Sequence, residues 1–396
     1  MTTRGGFGAS VLDRRARITS ASVRAAYAWS VRDRERRAFE EVARMAGVVM
    51  FELGPGRGPV TPLDLVRCLR RPLGELLPRL PDEDGGCYGA GADEVVLLGD
   101  GDVLAEAAYD VGSDYIREVV NGLDPSQDWL PSWSWMQAND VENELFAKLV
   151  AAGDEAAYRT ARQFVVECPA DAEQRLAEEC NGRQAKRVAR YVPITDGQAY
   201  RCGERRYWWP CRVCGWPMDV QGRIVRCRYR YHMASYQVTE RTKGGGPTLI
   251  RVDQRLPAGV VRRLPERRDA EGAVQVEEPV WRFIVVPGAT ELRLARLLRD
   301  DGAGVKLYPG CDRYDLDVVV GDRRWDVDVK EHATVEGLLR HIRTNPPAAR
   351  YVVLPDTHAG QAHAVRDALA RYTVLTERQL LSQVKGTLRR RKGSAP

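Results

Sequence analysis

The most constraining feature of the sequence is a pair of alternating segments, residues 314–320 and 325–330, with Gly321-Asp322 between them. Apolar and charged side chains alternate along both segments, which is typical of β-strands with one face on a core. Glycine followed by aspartate suits the tight turn of a hairpin. The sequence therefore predicts a β-hairpin with one apolar face and one charged face.

The charged face of this hairpin concentrates acids and a lysine. Asp326, Asp328 and Lys330 share a face of the second strand, and Asp315 and Asp317 share a face of the first. Carboxylates that converge in this way are costly unless a cation or a reaction uses them. Two carboxylates on adjacent strands can hold Mg²⁺, and a nearby lysine can orient the attacking water of a phosphodiester hydrolysis. The alternative is an ordinary solvated hairpin.

Further elements are predicted on both sides of the hairpin. Upstream, an amphipathic helix covers residues 288–298 with Thr290 as its N-cap, and a short strand follows at 305–308. Downstream, the pattern predicts helices at 334–342 and 358–371 and strands at 350–354 and 372–375. The order is helix, three strands, helix, strand, helix, strand, which indicates a mixed α/β domain.

This order, together with Asp328-Val-Lys330, resembles the PD-(D/E)XK restriction-endonuclease-like fold over about residues 283–384. In that family a helix glutamate, an aspartate that opens the second strand and a (D/E)-x-K on the third strand form the metal site. The resemblance gives these roles to Glu291, Asp317, Asp328 and Lys330. The family's Pro-Asp pair is replaced here by Asp315-Leu-Asp317, so Asp315 competes with Asp317 as a metal ligand.

The resemblance implies a DNA endonuclease that depends on Mg²⁺ or Mn²⁺. Asp328 and Asp317, or Asp315, would bind the metal, Lys330 would position or activate the attacking water, and Glu291 would support the metal or its waters. Enzymes of this fold often need two active sites to cut both strands, so a homodimer is one expectation. The alternative is a degenerate fold that binds nucleic acid without cutting it.

A second informative stretch, residues 200–236, predicts a zinc ribbon. Cys211-Arg-Val-Cys214 places two thiolates on one tight turn, and Cys227 and His232 follow twelve residues later as a second knuckle. A structural zinc site needs four ligands in a tetrahedron. Cys202 competes with His232 for the fourth position, and the sequence leaves that choice open.

The ribbon is also basic and aromatic. Residues 201–243 carry ten basic and three acidic side chains, a local charge of +7, with tyrosines and tryptophans between them. Such a composition suits phosphate contact with base stacking, and it is equally compatible with a ribbon that only stabilises a small domain. The candidates for nucleic-acid contact are Arg212, Arg226, Arg228, Arg230 and Trp208.

Composition and charge exclude some classes of protein. The net charge of the 396 residues is only +5, so no global charge argument for nucleic acid can be made. No apolar run reaches transmembrane length, and residues 1–8 lack the apolar core of a signal peptide. A cytoplasmic protein without membrane contact is expected, with its nine cysteines reduced or metal-bound.

The chain is long enough for several domains. Composition and pattern, with the resemblance for the nuclease-like part, predict a multidomain α/β protein with the following divisions: an N-terminal mixed α/β region of unassigned role (1–130), a helical segment (131–199), the zinc ribbon (200–245), a linker or hairpin (246–280), the nuclease-like domain (281–386) and a basic disordered tail (387–396).

The combination of a helical segment, a Cys-x-x-Cys ribbon preceded by Tyr207-Trp208-Trp209 and a C-terminal nuclease-like domain resembles the restriction-endonuclease-like component encoded beside prokaryotic PIWI-RE (Argonaute-like) proteins. The resemblance implies a role in defence against phage or plasmids, with a PIWI-RE protein and a DinG-like helicase as partners. A catalytically inactive, nucleic-acid-binding subunit of such a complex is the alternative to an endonuclease.

Overall fold

A computed structural model describes residues 11–79, 92–114, 130, 147, 149, 154–239, 246–254, 260, 263–332 and 334–393. The chain divides into two compact units, each described by itself below. The first contains residues 1–139 and 332–346, and the second contains residues 140–331 and 347–396. The second unit carries every strand of the described residues and both candidate sites.

Ten helices of seven or more residues lie in the described ranges. They are α1 Val11–Ser30, α2 Ala38–Leu53, α3 Pro62–Leu69, α4 Glu106–Asp114, α5 Glu155–Glu167, α6 Glu173–Gly182, α7 Val286–Asp300, α8 Val335–Thr344, α9 Ala362–Ala368 and α10 Glu377–Gly393.

The strands of the described residues are β1 Ala170–Ala172, β2 Tyr191–Pro193, β3 Tyr200–Cys202, β4 Arg205–Trp208, β5 Asp219–Gln221, β6 Ile224–Arg226, β7 Ala234–Thr239, β8 Thr248–Gln254, β9 Arg268–Asp269, β10 Ala273–Val276, β11 Gly304–Leu307, β12 Leu316–Val320, β13 Arg323–Val329, β14 Tyr351–Leu354 and β15 Thr373–Thr376. They form four sheets with the orders β1-β10-β2, β3-β4-β9, β5-β6-β7-β8 and β11-β12-β13-β14-β15.

The first unit is built from α1 to α4 and α8. Its sequence sets several helix ends: Pro62 lies in the first turn of α3, and Thr61 and Asp64 cap that turn reciprocally. Thr334 accepts a hydrogen bond from the N–H of Gly337 and caps α8. Leu98 pairs with Leu104 in an isolated antiparallel bridge.

The five-stranded sheet holds the hairpin that the alternating pattern predicted. β12 and β13 pair antiparallel with Val320 opposite Arg323, which leaves a two-residue turn at 321–322. Gly321 has a φ of +61°, a conformation that glycine adopts without steric cost. β11 joins β12 antiparallel, whereas β14 and β15 extend the sheet from β13 in parallel. The buried side chains of Trp325 and Val327 show which face lies on the core.

The helix before β11 starts earlier than its sequence pattern indicated. Helical geometry begins at Glu278, passes through a π-helical stretch at Trp281–Val285 and continues into α7. Thr290 therefore lies inside the helix and not at its N-cap. Its hydroxyl donates instead to a carboxylate oxygen of Glu331, 3.0 Å away, and both side chains are buried.

One apolar core joins the cysteine-rich segment to the five-stranded sheet within the second unit. The rings of Trp216 and Trp281 stack with their centroids 4.4 Å apart. Aromatic pairs in this geometry add about 0.5–1.5 kcal/mol to the free energy of burial. The cysteine-rich segment and the sheet thus share one core and are not separate domains joined by a linker.

Two parts of the predicted division differ from the structure. Residues 246–280, expected as a linker or hairpin, contribute β8 to one sheet and β9 and β10 to two others. Residues 387–393, expected as a disordered tail, form the last turns of α10, because Val384 is buried and Leu388 packs against the core. The segment 394–396 lies outside the described residues.

Candidate metal centre and carboxylate site

Three cysteines and a histidine converge in the second unit. Their ligand atoms all lie within 4.8 Å of one another, and all four residues, Cys211, Cys214, Cys227 and His232, are buried. The Nδ1 atom of His232 lies 3.3 Å from the sulfur of Cys227 and 3.7 Å from that of Cys211. Tetrahedral zinc with sulfur ligands at about 2.3 Å requires ligand atoms roughly 3.8 Å apart. These residues could therefore hold a metal ion such as zinc.

Local backbone geometry positions the two knuckles of this metal centre. The N–H of Gly215 donates to the carbonyl of Cys211 (2.8 Å), and Gly215 takes a φ of +72° that closes the turn around the first two thiols. Cys227 follows β6 directly, and a single helical turn, Arg230–His232, brings His232 back to it. Tight turns of the backbone therefore set the positions of both knuckles.

Electrostatics agree with a donor set suited to a cation. Burial acts to lower the pKa of His232, but the neighbouring thiols, Cys214 and Cys211 foremost, outweigh it and raise this pKa to about 10. Burial acts to raise the pKa of the Cys211 thiol, and hydrogen bonds from its neighbours lower it well below its usual value. Burial raises the pKa of the other two thiols, Cys214 and Cys227, and a bound cation would offset this cost of ionising them.

The structure brings one of the two candidates for the fourth ligand into the cluster. His232 belongs to the cluster, whereas Cys202 does not. Cys202 ends β3, where it pairs with Arg205 across the strand and packs beside the apolar core as a free thiol. The residues that could hold a metal ion together are therefore Cys211, Cys214, Cys227 and His232.

The described side chains among the residues predicted for nucleic-acid contact do not form one exposed surface. Trp208 is fully buried, and its indole N–H donates to the carbonyl of Asp269, so its ring has no face open to a stacked base. Arg228 is held by Asp219 and Glu278. Arg212 and Arg226 are half-buried, and the side chain of Arg230 lies outside the described residues.

The second cluster lies where β12 and β13 meet the N-terminal half of α7. Asp328 on β13 is buried, and its Oδ1 lies 2.7 Å from the Nζ of Lys330. The buried Asp315, just before β12, accepts a hydrogen bond from the N–H of Val329 (2.6 Å). Glu291 on α7 is 2% exposed. Asp315, Asp328 and Lys330 are thus brought together by main-chain pairing of the two strands.

Asp317, the residue that the family pattern favoured, has a different partner. Its two carboxylate oxygens lie 2.6 and 2.9 Å from the Nε and Nη2 atoms of Arg324. This bidentate pair occupies both oxygens. Asp317 also sits opposite Asp326 in the register, farther along the hairpin than Asp315. The structure therefore places Asp315, and not Asp317, beside the Asp-x-Lys motif.

The charges of this carboxylate site are strongly coupled. Burial raises the pKa of Asp315 well above its usual value, and the carboxylates of Glu291 and Asp328 raise it further. Burial also raises the pKa of Glu291, although Arg162 acts in the opposite direction. For Lys330, burial acts to lower the pKa, but Asp328 and Asp315 outweigh it and the pKa is raised. A cation placed among these carboxylates would be strongly favoured.

Two residues of this site carried no signal in the sequence. Asp312 precedes the hairpin in a turn, and Arg162 lies on α5, 129 residues before Glu291. The Nη1 atom of Arg162 is 2.6 Å from Asp312, and its Nη2 atom is 3.4 Å from Glu291. No local periodicity connects positions so far apart in the chain, so only the fold reveals this contact.

Comparisons with known families match two regions of the chain. Residues 288–392 match a family model described as an REase associating with pPIWI_RE, and residues 15–171 match the pPIWI_RE three-gene island domain Y. The chain is a PIWI-RE island protein with an REase-associated domain. No curated protein and no solved structure gives a match.

The two matched regions fall on the described architecture as follows. The REase match begins at Gly288 in α7 and covers the five-stranded sheet, Glu291, Asp315, Asp328 and Lys330. The domain Y match covers α1 to α5 and ends in β1. The metal centre at 211–232 lies between the two matched regions. Among the described residues, no helix is both long and apolar enough to cross a membrane.

Proposed function

We propose that this PIWI-RE island protein is a metal-dependent DNA endonuclease whose five-stranded sheet is a PD-(D/E)XK nuclease domain. The proposal is supported by one observation above all: within the REase match, Asp315, Asp328 and Lys330 meet at the junction of β12 and β13, with Glu291 buried on α7. The sheet, with two antiparallel pairings followed by two parallel ones, is further support for the proposal.

The donor set fits a hard divalent cation such as Mg²⁺ or Mn²⁺. Carboxylate oxygens are the ligands that these ions prefer, and the residues that would hold the ion are Asp315 and Asp328, with Asp315 in the place first expected for Asp317. When bound, the ion would polarise the scissile phosphate and activate a water molecule. Burial and then the carboxylates of Glu291 and Asp328 raise the pKa of Asp315, and burial raises the pKa of Glu291 against the opposing effect of Arg162. A bound cation would favour the ionised form of both carboxyl groups.

The side chains of this chain perform the remaining work. Lys330 is fixed by the main-chain bond of its N–H to Val353 (2.9 Å) and by its contact with Asp328, so its ammonium group is directed into the carboxylate cluster. There it would orient the attacking water and stabilise charge that develops on the phosphate. Glu291, held on a rigid helix, would support the waters of the ion. Defence against invading DNA, alongside other proteins of the island, is the role that follows from the family.

The test is cleavage of supercoiled plasmid and single-stranded DNA by the zinc-loaded full chain, with Mg²⁺ or Mn²⁺. Lys330→Ala and Asp328→Ala should each reduce the cleavage rate about 100-fold or more. Asp322→Ala, a change at the exposed hairpin turn, is the matched control and should cut like the wild type. Metal-independent cutting, or cutting that survives Lys330→Ala, would refute the proposed site.

A catalytically inactive nucleic-acid-binding subunit remains the alternative outcome of this test. In that case the wild type would retard DNA in an electrophoretic mobility assay without cutting it, both alone and with the other island proteins. Lys330→Ala would leave this retardation unchanged, whereas removal of the metal at Cys211 and Cys214 would abolish it.

A further inference from the structure

Helix α5 inserts a buried arginine into the carboxylate site. Arg162 is 6% exposed, and its guanidinium bridges Asp312 (Nη1 to Oδ2, 2.6 Å) and Glu291 (Nη2 to both carboxylate oxygens, 3.4 Å). It also lies over the ring of Tyr308, 4.5 Å from the centroid. A guanidinium is always charged and presents its donors in a rigid plane, so it fixes the positions of the groups that it bridges.

The two carboxylates come from elements that Arg162 ties together. Glu291 belongs to α7, and Asp312 lies in the turn between β11 and β12. Asp312 has a φ of +73°, and Cys311 before it a φ of +55°, so this turn holds non-glycine residues in the left-handed region. Such a backbone persists only where its surroundings fix it. The contact with Arg162 holds the carboxylate of Asp312 in this turn.

The burial of Arg162 decides how it can act. A side chain that is 6% exposed and surrounded by Glu291, Asp312 and Tyr308 has no open face for a DNA phosphate. An effect of Arg162 on a reaction at this site must therefore pass through the carboxylates that it holds.

The charges of the cluster limit the cations that it can accept. With all carboxylates ionised, four negative charges face two positive ones. The net charge of the cluster is then −2, which one divalent cation would balance. The four carboxylates are those of Glu291, Asp312, Asp315 and Asp328, and the two cations are those of Arg162 and Lys330. The guanidinium already occupies the space between Glu291 and Asp312.

We infer that Arg162 is a positioning residue of the nuclease site: as a fixed cation it holds Glu291 and Asp312 in place and leaves Asp315 and Asp328 to bind a single divalent metal ion. This inference rests on the proposed function for its consequence in catalysis, and on the geometry alone for its consequence in metal binding. Arg162 lies outside the REase match and inside the domain Y match. The REase-associated domain is accordingly incomplete without α5.

The experiment is a titration of the zinc-loaded full chain with Mn²⁺, in which free Mn²⁺ is followed by electron paramagnetic resonance. The wild type should bind one Mn²⁺ per chain, and Asp328→Asn should abolish that binding. Arg162→Met, which keeps an unbranched apolar stem and removes the guanidinium with its charge, should allow a second Mn²⁺ to bind between Glu291 and Asp312. Arg162→Lys should keep the single equivalent, and it serves as the second variant if the methionine variant fails to fold.

Cleavage kinetics give the second readout. Arg162→Met should lower kcat about 10- to 100-fold, as expected for loss of a group that orients metal-site carboxylates, and should leave KM for DNA within about 2-fold. Arg162→Lys should recover part of kcat. The matched control is Arg293→Met, which removes another buried arginine of the same unit, one that pairs with Glu377 and not with a carboxylate of the cluster. It should lower the melting temperature without changing Mn²⁺ stoichiometry.

The outcomes separate the two proposals. Altered Mn²⁺ stoichiometry in Arg162→Met, together with a wild type that cuts no DNA, would overturn the proposed function and support the role of Arg162. If the wild type cuts DNA and Arg162→Met matches Arg293→Met in kcat and in the number of Mn²⁺ ions bound, only the role of Arg162 would be overturned. A wild type that binds two Mn²⁺, or none, would also overturn it, and binding of none would overturn the metal-dependent nuclease as well.

Discussion

The indole N–H of Trp281 donates a hydrogen bond to the sulfur of Cys214, with 3.3 Å between the nitrogen and the sulfur. Trp281 opens the π-helical stretch that continues into α7, and α7 carries Glu291. Between Cys227 and His232 in the sequence, Tyr229 places its hydroxyl 3.3 Å from Nε2 of the buried His358. The cysteine-rich segment therefore contacts the domain that holds the carboxylate site through polar atoms at two points.

Removal of the metal should loosen the five-stranded sheet as well as the knuckles. Structural zinc contributes about 10–16 kcal/mol in zinc-finger peptides, which is comparable to the whole stability of a typical domain, about 5–15 kcal/mol. Hydrogen–deuterium exchange before and after chelation should show lost protection at β12 and β13. Protection that stays unchanged there while the knuckles exchange would show that the two parts are energetically independent.

The choice of fourth ligand predicts opposite results for two substitutions. His232→Ala removes a member of the buried cluster, and zinc affinity should fall by at least about 10- to 100-fold. Cys202→Ala changes a thiol that lies on β3 outside that cluster, so it should keep one zinc per chain. Zinc content and competition with a chromogenic chelator measure both effects. Loss of zinc from Cys202→Ala with retention in His232→Ala would reverse the assignment.

Asp315 and Asp317 should differ sharply in their effect on cleavage. Asp315→Asn keeps an acceptor for the N–H of Val329 and removes the charge beside Asp328, so metal affinity should fall at least about 10- to 100-fold. Asp317→Asn weakens the pair with Arg324, whose side chain is 60% exposed, and such pairs contribute about 0–1 kcal/mol to stability. Cleavage rates measured across a Mn²⁺ series distinguish the two. An equal loss of cleavage rate in both variants would indicate that Asp317 also binds the metal ion.

Much of the hairpin and its neighbours could be predicted because those signals are local. Alternation over seven residues is sufficient to define β13, and the Gly321-Asp322 turn fixes the register with β12. The choice between Asp315 and Asp317 could not be predicted in this way, because both lie on the same face by alternation. It depends on Arg324 taking up both oxygens of Asp317, a side-chain contact that no periodicity records.

The aromatic residues of the ribbon show a different limit. Basic and aromatic composition favoured a base-stacking surface, yet Trp208, Trp209 and Tyr229 are at most 1% exposed. The strands of this segment are short, three residues in β5 and in β6, and offer few aliphatic side chains. Large aromatic rings therefore supply the core here, and their composition alone cannot distinguish a core from a binding surface.

In the first unit, Asp102 should make stability depend on pH. Burial acts to raise the pKa of its carboxyl group, but the surrounding donors, Arg70 and Arg32 among them, outweigh it and lower this pKa. A lowered pKa in the folded state contributes stability that is present above the unfolded value of about 3.9 and lost as the pH falls through the folded value. Asp102→Asn, which tolerates the φ of +61°, should therefore reduce the free energy of unfolding by about 1 kcal/mol at pH 7. Urea unfolding at pH 7 and pH 3 measures the difference, and a deficit that persists in full at pH 3 would contradict it.

Close packing of α7 against α5 predicts a steric effect at Gly288. A Cβ at this position would lie 2.5 Å from one methyl group of Val166 and 3.1 Å from the other. Val166 is buried on the helix that carries Arg162, and a helical valine has one strongly preferred rotamer, so it cannot turn away. Gly288→Ala should therefore cost about 1–3 kcal/mol of unfolding free energy. Gly386→Ala on α10, where nothing lies within 4 Å of the added methyl group, should instead stabilise the folded protein by about 0.5–1 kcal/mol.

Gly288→Ala should also lower kcat, because the added methyl group would move α5. An unchanged kcat would mean that Arg162 keeps its contact with Glu291 when the two helices separate.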